Sequence, residues 1–124
     1  MTHKVYFTAN FKRQYKKVRK SSRWQPIFEG NLPFDGKNRS AWRYILDSFE
    51  ERNPLPEYFY VHPLHVPKSL IQRLKRDFGL NNHATIKVLE LHLDGHNGNH
   101  LLVYYDDERI TVFLGIGTHS DLFE

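Results

Sequence analysis

The 124-residue chain has no cysteine, which excludes disulfides, thiolate metal sites and cysteine nucleophiles together and predicts a reducing, cytoplasmic setting. No stretch approaches the ~18 apolar residues of a membrane helix, and the opening MTHKVYFTAN lacks the apolar core of a secretory signal. No membrane partner is expected. Seven glycines and six prolines are too few for a low-complexity chain, and 40% hydrophobic with 26% charged residues is the balance of a folded one. The length suits one domain, so residues 1–124 are read as a single unit. Acid is missing from the first fifth of the sequence. Lys4, Lys12, Arg13, Lys16, Lys17, Arg19, Lys20 and Arg23 all precede Glu29, the first carboxylate. Such a block either attracts nucleic acid phosphates or an acidic protein, or forms a solvated helix face.

The hydrophobic period then orders the chain. Lys4 to Thr8 reads as a strand. From Asn10, a candidate cap, Phe11, Tyr15 and Val18 share one helical stripe, which leaves Lys12, Arg13, Lys16, Arg19 and Lys20 opposite. The stretch from Ser21 to Arg39 has no sustained period and reads as a loop. Ser40 is placed to cap a helix that buries Trp42, Ile45 and Phe49. Asn53 to Pro67 holds four prolines and reads as an extended connection. Pro67 suits the first turn of a further helix with Leu70, Ile71, Leu74 and Phe78 inward and Gly79 as its stop. Three β-rich segments follow, Thr85 to Asp94, His100 to Tyr105 and Arg109 to Ile116, an antiparallel meander with Asn97-Gly98 as the first hairpin turn.

In TIKVLELHLD the residues Leu89, Leu91 and Leu93 alternate with Glu90, His92 and Asp94, but Ile86 and Val88 fall on the opposite phase. Either a bulge near Val88 and Leu89 resets the face and puts Lys87 and His92 on one side, or the strand is covered on both faces.

Eight histidines are the other surplus. His92, His96 and His100 have an H-x3-H-x3-H spacing, but they straddle a hairpin instead of sharing a helix face, and there is no HExxH pattern, so no metal is assigned. His3, His65, His83 and His96 read as surface or packing residues. Acid–base chemistry without a metal, by histidines from separate segments, is the remaining use.

LHLDGHNGNHLLVYYDDERITVFLGIGTHSDLF, together with PLPEYFYVHPL and YFTANFKRQYKKVRK, resembles the RelE/ParE superfamily, and within it the YafQ-like toxins of bacterial type II toxin–antitoxin systems. The three blocks stand in the family order. The resemblance implies an α+β fold in which N-terminal helices pack on a small twisted antiparallel sheet, here with the Pro67–Phe78 helix as an insertion. It implies a ribosome-dependent, metal-independent endoribonuclease without a cofactor, which cuts translated mRNA by 2′-oxygen attack. Its partners would be a cognate antitoxin, the ribosome and mRNA.

By motif, His62, His92 and His119 fall on the catalytic histidines and Phe123 on the terminal aromatic. Three departures accompany the match: Gly115 replaces the family arginine, Asn99-His100 replaces an Asp-Trp pair after a longer hairpin, and the Pro67–Phe78 helix is inserted. Along the last strand, Arg109, Thr111, Phe113, Gly115 and Gly117 share one face, so a side chain at 115 should point into the cleft of His119. Lys87, His100, Arg73 and Arg76 are then the candidate RNA and phosphate contacts, with Phe123. Lys12, Arg13, Lys16, Arg19 and Lys20 are the candidate contacts to ribosome or antitoxin. The competing reading is an attenuated toxin homologue, or a ParE-like inhibitor that acts by protein or ribosome binding.

Overall fold

In the computed structural model, which describes residues 3–123, Thr8 separates strand β1 (Lys4–Phe7) from helix α1 (Ala9–Arg19) and caps the helix, its hydroxyl accepting from the Phe11 N–H at 3.1 Å. Asn10 is therefore not the cap. Its side-chain amide donates instead to Leu114 O at 3.2 Å and ties the helix to the last strand. Ser40 does cap α3 (Ala41–Glu51), accepting from Arg43 N–H at 3.1 Å.

The region read as a loop contains a 3-10 turn, Ser22–Trp24, and a short helix α2, Gln25–Glu29. Pro26 is tolerated there because a first helical turn has no use for its missing N–H, and Trp24, Ile27 and Leu32 are buried. Density of Pro and Gly concealed a segment that is held by packing. Its remainder is tied by Asp35, which accepts from Arg39 Nε at 2.9 Å; that guanidinium holds the Asp35 carboxyl well below the usual carboxylate range.

The other elements are β2 (His62–Pro63), α4 (Lys68–Phe78), β3 (Val88–His92), β4 (Leu101–Asp106), β5 (Ile110–Gly117) and α5 (His119–Phe123). The sheet order is β1-β5-β4-β3-β2, with β1 parallel to β5 and every other pair antiparallel. The expected α+β class with helices on a small sheet is observed, including the additional helix after Pro67. The parallel edge strand was not expected, because pairing between segments a hundred residues apart leaves no local signal. The proline-rich connection is extended apart from a 3-10 turn, Glu57–Phe59, whose Phe59 is fully buried.

Both faces of the sheet are covered. Phe11, Trp42, Ile45 and Phe49 pack against Leu91, Leu102, Tyr104 and Phe113 on one side. On the other, Leu74 of α4, with Ile71 and Phe78 beside it, covers Val88, Val103, Tyr105, Val112 and Leu114. Full burial of each such side chain contributes about 1.5–3 kcal/mol. This decides the phase problem in β3: Ile86 and Val88 lie under α4, and pairing with β4 runs unbroken from Val88 to His92.

The bulge is in β5. Tyr104 faces Phe113 and Val103 faces Gly115, so Leu114 is the extra residue. Thr111 and Phe113 consequently point to one face and Gly115 and Gly117 to the other, and the five-residue alternation from Arg109 does not hold. The first hairpin also differs. Gly95 adopts φ 96°, not Asn97 or Gly98, and Gly98 is required by contact, since a Cβ there would lie 1.8 Å from Asp94 Oδ1. No helix among the described residues is long and apolar enough to cross a membrane.

Candidate active site

Register brings the site together. His62 is paired with Glu90, Glu90 with Val103 and Val103 with Gly115; in the next row on the same face, His92 is paired with Leu101 and Leu101 with Gly117. His62, Glu90 and His92 thus project side by side, and the two imidazole rings are 5.5 Å apart. His62 Nε2 is 3.0 Å from Glu90 Oε1, and His92 Nε2 is 3.9 Å from the same oxygen. Glu90 is buried, and its Oε2 has no hydrogen-bond partner.

Backbone carbonyls fix both rings. His62 Nδ1–H donates to Tyr60 O at 2.9 Å, and His92 Nδ1–H donates to Gly98 O at 3.0 Å. A carbonyl only accepts, so each ring turns its Nε2 towards Glu90. Nε2 of each ring is therefore the nitrogen not committed to the backbone, and in a neutral ring it carries the lone pair. Tyr60, held in a left-handed conformation at φ 48°, lays its ring 4.8 Å from His62 and 5.4 Å from His92. The His96 ring lies against that of Tyr60, tilted by 46° with centroids 4.0 Å apart.

His119 starts α5 just beyond the row that contains His92. Two strand spacings, roughly 10 Å, separate it from β3. Its backbone N–H donates to Asn99 Oδ1 at 2.9 Å, and its ring lies 5.0 Å from Phe123. Both rings are exposed at the surface. Thr118 and Asp121 cap this turn, and the Thr118 N–H in particular lowers the pKa of the Asp121 carboxyl. Leu122 lies over both glycines of β5: a Cβ at Gly115 would sit 3.5 Å from Leu122 Cδ2 and 3.1 Å from Gln14 Oε1.

The structure therefore gathers His62 and His92, and sets His119 with Phe123 on the adjoining ledge. The other candidates lie elsewhere. Without a bulge in β3, Lys87 is not turned towards His92; it lies beside Pro63–Val66, five residues and about 17 Å of strand away. Arg73 lines a cleft with Asn10 and Arg13, and Arg76 pairs with Asp77 on the outer side of α4. His100 has both ring nitrogens engaged, Nδ1 with Asp94 and Nε2–H donating to Arg23 O at 3.2 Å, and stands edge-on to Trp24. The basic residues of α1 divide among faces. Lys12 and Lys16 flank a groove of about 560 Å³ with Phe7, Tyr15 and Trp42; Arg19 covers Phe28, and Lys20 lies next to Ser21 and Gln25.

Glu90, Tyr60, Asn99 and Lys17 are the site residues that the sequence reading passed over. Glu90 had a signal, since it shares the phase of His92 in LELHL. Lys17 was visible only as a member of the basic block; its charge contributes to the lowered pKa of Asp121.

Solved structures share this overall fold. Among them, the chain is similar to a chain of the E. coli DinJ–YafQ toxin–antitoxin complex, at 15% identity over 100% of both chains and a TM-score of 0.60. It is also similar to a copper-bound mutant toxin from Helicobacter pylori, at 18% identity over 99% of this chain and 100% of that one, TM-score 0.57. A third similar structure is an E. coli YafQ mutant with one histidine replaced by glutamine, at 15% identity over 98% and 99% of the two chains, TM-score 0.58. No protein-family model matches the sequence, and no curated protein matches it.

Proposed function

We propose that residues 1–124 form a single toxin domain of a type II toxin–antitoxin system, an endoribonuclease that cuts translated mRNA without a metal ion. The observation that carries this reading is the tautomer favoured for His92: with Nδ1–H bound to Gly98 O, the Nε2 of the neutral ring is left with its lone pair, in the register row that leads to His119. A base of that kind takes the proton of the ribose 2′-hydroxyl. The 2′-oxygen attacks the adjacent phosphorus, the bond to the 5′-oxygen breaks, and protonated His119 supplies the proton to that leaving oxygen. The products are a 2′,3′-cyclic phosphate and a 5′-hydroxyl.

Charge on the phosphate is met without the family arginine. His62, 3.0 Å from Glu90, is a cation when protonated, and Lys17 adds a second positive charge near α5. Phe123, exposed beside His119, offers a face on which a base stacks. His100 braces the hairpin that supplies Gly98 and Asn99, while Lys87, Arg73 and Arg76 meet phosphates of flanking RNA. The groove between α1 and α3, apolar along its floor and flanked by Lys12, Lys16 and Arg43, suits an amphipathic acidic segment of a cognate antitoxin.

The test is primer extension on one message in a reconstituted translation system. Wild type should introduce cuts that require the ribosome, and His92→Gln should slow them by about 100- to 10,000-fold, the usual worth of a positioned acid or base. Translation arrest with the message intact would instead support inhibition by contact.

A further inference from the structure

We infer that His62, Glu90 and His92 form a binding site for a divalent transition-metal ion of the zinc and copper class, and that occupancy switches the active site off. One ligand atom from each residue, two imidazole nitrogens and a carboxylate oxygen, lies within 4.8 Å of the others. Ligands at zinc distances, ~2.0–2.2 Å from the ion, stand up to about 4 Å apart. The contacts of 3.0 Å and 3.9 Å to Glu90 Oε1 already meet that condition, and a small inward turn of the rings closes the third side.

Three further features suit a metal site, the first of them shared with the acid–base reading. Both imidazoles donate Nδ1–H to a backbone carbonyl, the outer-sphere anchor that metal-binding histidines ordinarily have. Glu90 is buried with its Oε2 unpartnered, an arrangement that costs stability unless a cation or proton satisfies it. His62 remains partly exposed, at 30% of its side chain, which leaves an open side for water as a fourth ligand. Two imidazoles with one carboxylate favour zinc, nickel or copper over magnesium or calcium.

Binding itself depends only on these residues. The inhibitory consequence rests on the proposed function, because the ion would take the His92 lone pair assigned to the base. Titration calorimetry of EDTA-stripped protein with zinc chloride is the direct measurement, with magnesium chloride and the exposed, distant His83→Ala variant as controls. One zinc per chain should bind to wild type, His83→Ala and His119→Ala alike. Affinity should fall at least 100-fold in His62→Gln and in His92→Gln, and also in Glu90→Gln, with folding checked by circular dichroism. Two histidine variants on separate strands keep the test informative if Glu90→Gln fails to fold. No zinc binding by wild type, or equal binding by both histidine variants, overturns the site.

A cleavage assay on the same protein separates the two readings. Zinc should abolish wild-type cleavage, and EDTA should restore it. Zinc binding at full affinity with cleavage unaffected overturns the switch, whereas zinc binding by a protein that never cleaves supports the site and contradicts the proposed function.

Discussion

Thr118 and Asp121 bind each other reciprocally: the Thr118 N–H donates to Asp121 Oδ2 at 3.0 Å, and the Asp121 N–H donates to Thr118 Oγ1 at 3.2 Å. This capping box sets His119 at the first position of α5. Asp121→Ala should therefore cost only about 1 kcal/mol of stability, the usual worth of a cap, yet lower cleavage far more, because it releases the imidazole. Thermal melts and cleavage rates measured on the same preparation check the difference. The pH dependence has a defined sign. Because the fold lowers the Asp121 carboxyl below its ordinary value of 3.8, the cap contributes fully above that pH and is lost as pH falls through the lowered value.

Gly115→Arg should not restore a phosphate clamp. Its Cβ would meet Gln14 Oε1 at 3.1 Å, the atom that accepts from Ile116 N–H, and Leu122 on the other side. The longer side chain has to lift α5 off the sheet. A loss of about 1–3 kcal/mol in chemical denaturation is expected, the range for overpacking, together with slower cleavage.

Helix α4 is a structural layer. Leu74, only 3% exposed, sits in the cluster with Val88, Val103 and Leu114. Leu74→Ala should cost about 2–5 kcal/mol by denaturant titration, as for other buried leucines, whereas an ornamental insertion would lose less than 1.

Stripes and caps made much of the fold legible. Trp42, Ile45 and Phe49 fixed α3, Ser40 its start and Gly79 the end of α4, since each of these signals is local. Long-range pairing was not legible: nothing in KVYF shows that it lies parallel to β5. The same limit hid the site. LELHL marks Glu90 and His92 as neighbours on one face, but only the two-residue strand β2, set by a proline-rich connection, brings His62 opposite Glu90. Lys87 was misplaced for a related reason. Its turn towards His92 required a bulge in β3, and α4 makes that bulge unnecessary by burying Ile86 and Val88.

Lys12→Glu with Lys16→Glu should weaken association with an acidic partner and reduce its salt dependence, since both flank the α1–α3 groove. Arg73→Glu, at the far cleft, should have a smaller effect on the same binding isotherm. Equal losses would mean that the partner does not use the groove.

The central claim is that imidazoles, with no bound ion, move the protons of an RNA transesterification. It is tested most directly by the end groups of a translated message cut by the purified protein in EDTA. The account predicts 5′-hydroxyl ends that a kinase labels without prior phosphatase, matched by 2′,3′-cyclic phosphates, at a rate undiminished by the chelator. Ends bearing a 5′-phosphate, or cleavage that stops in EDTA and returns with a divalent ion, would contradict it.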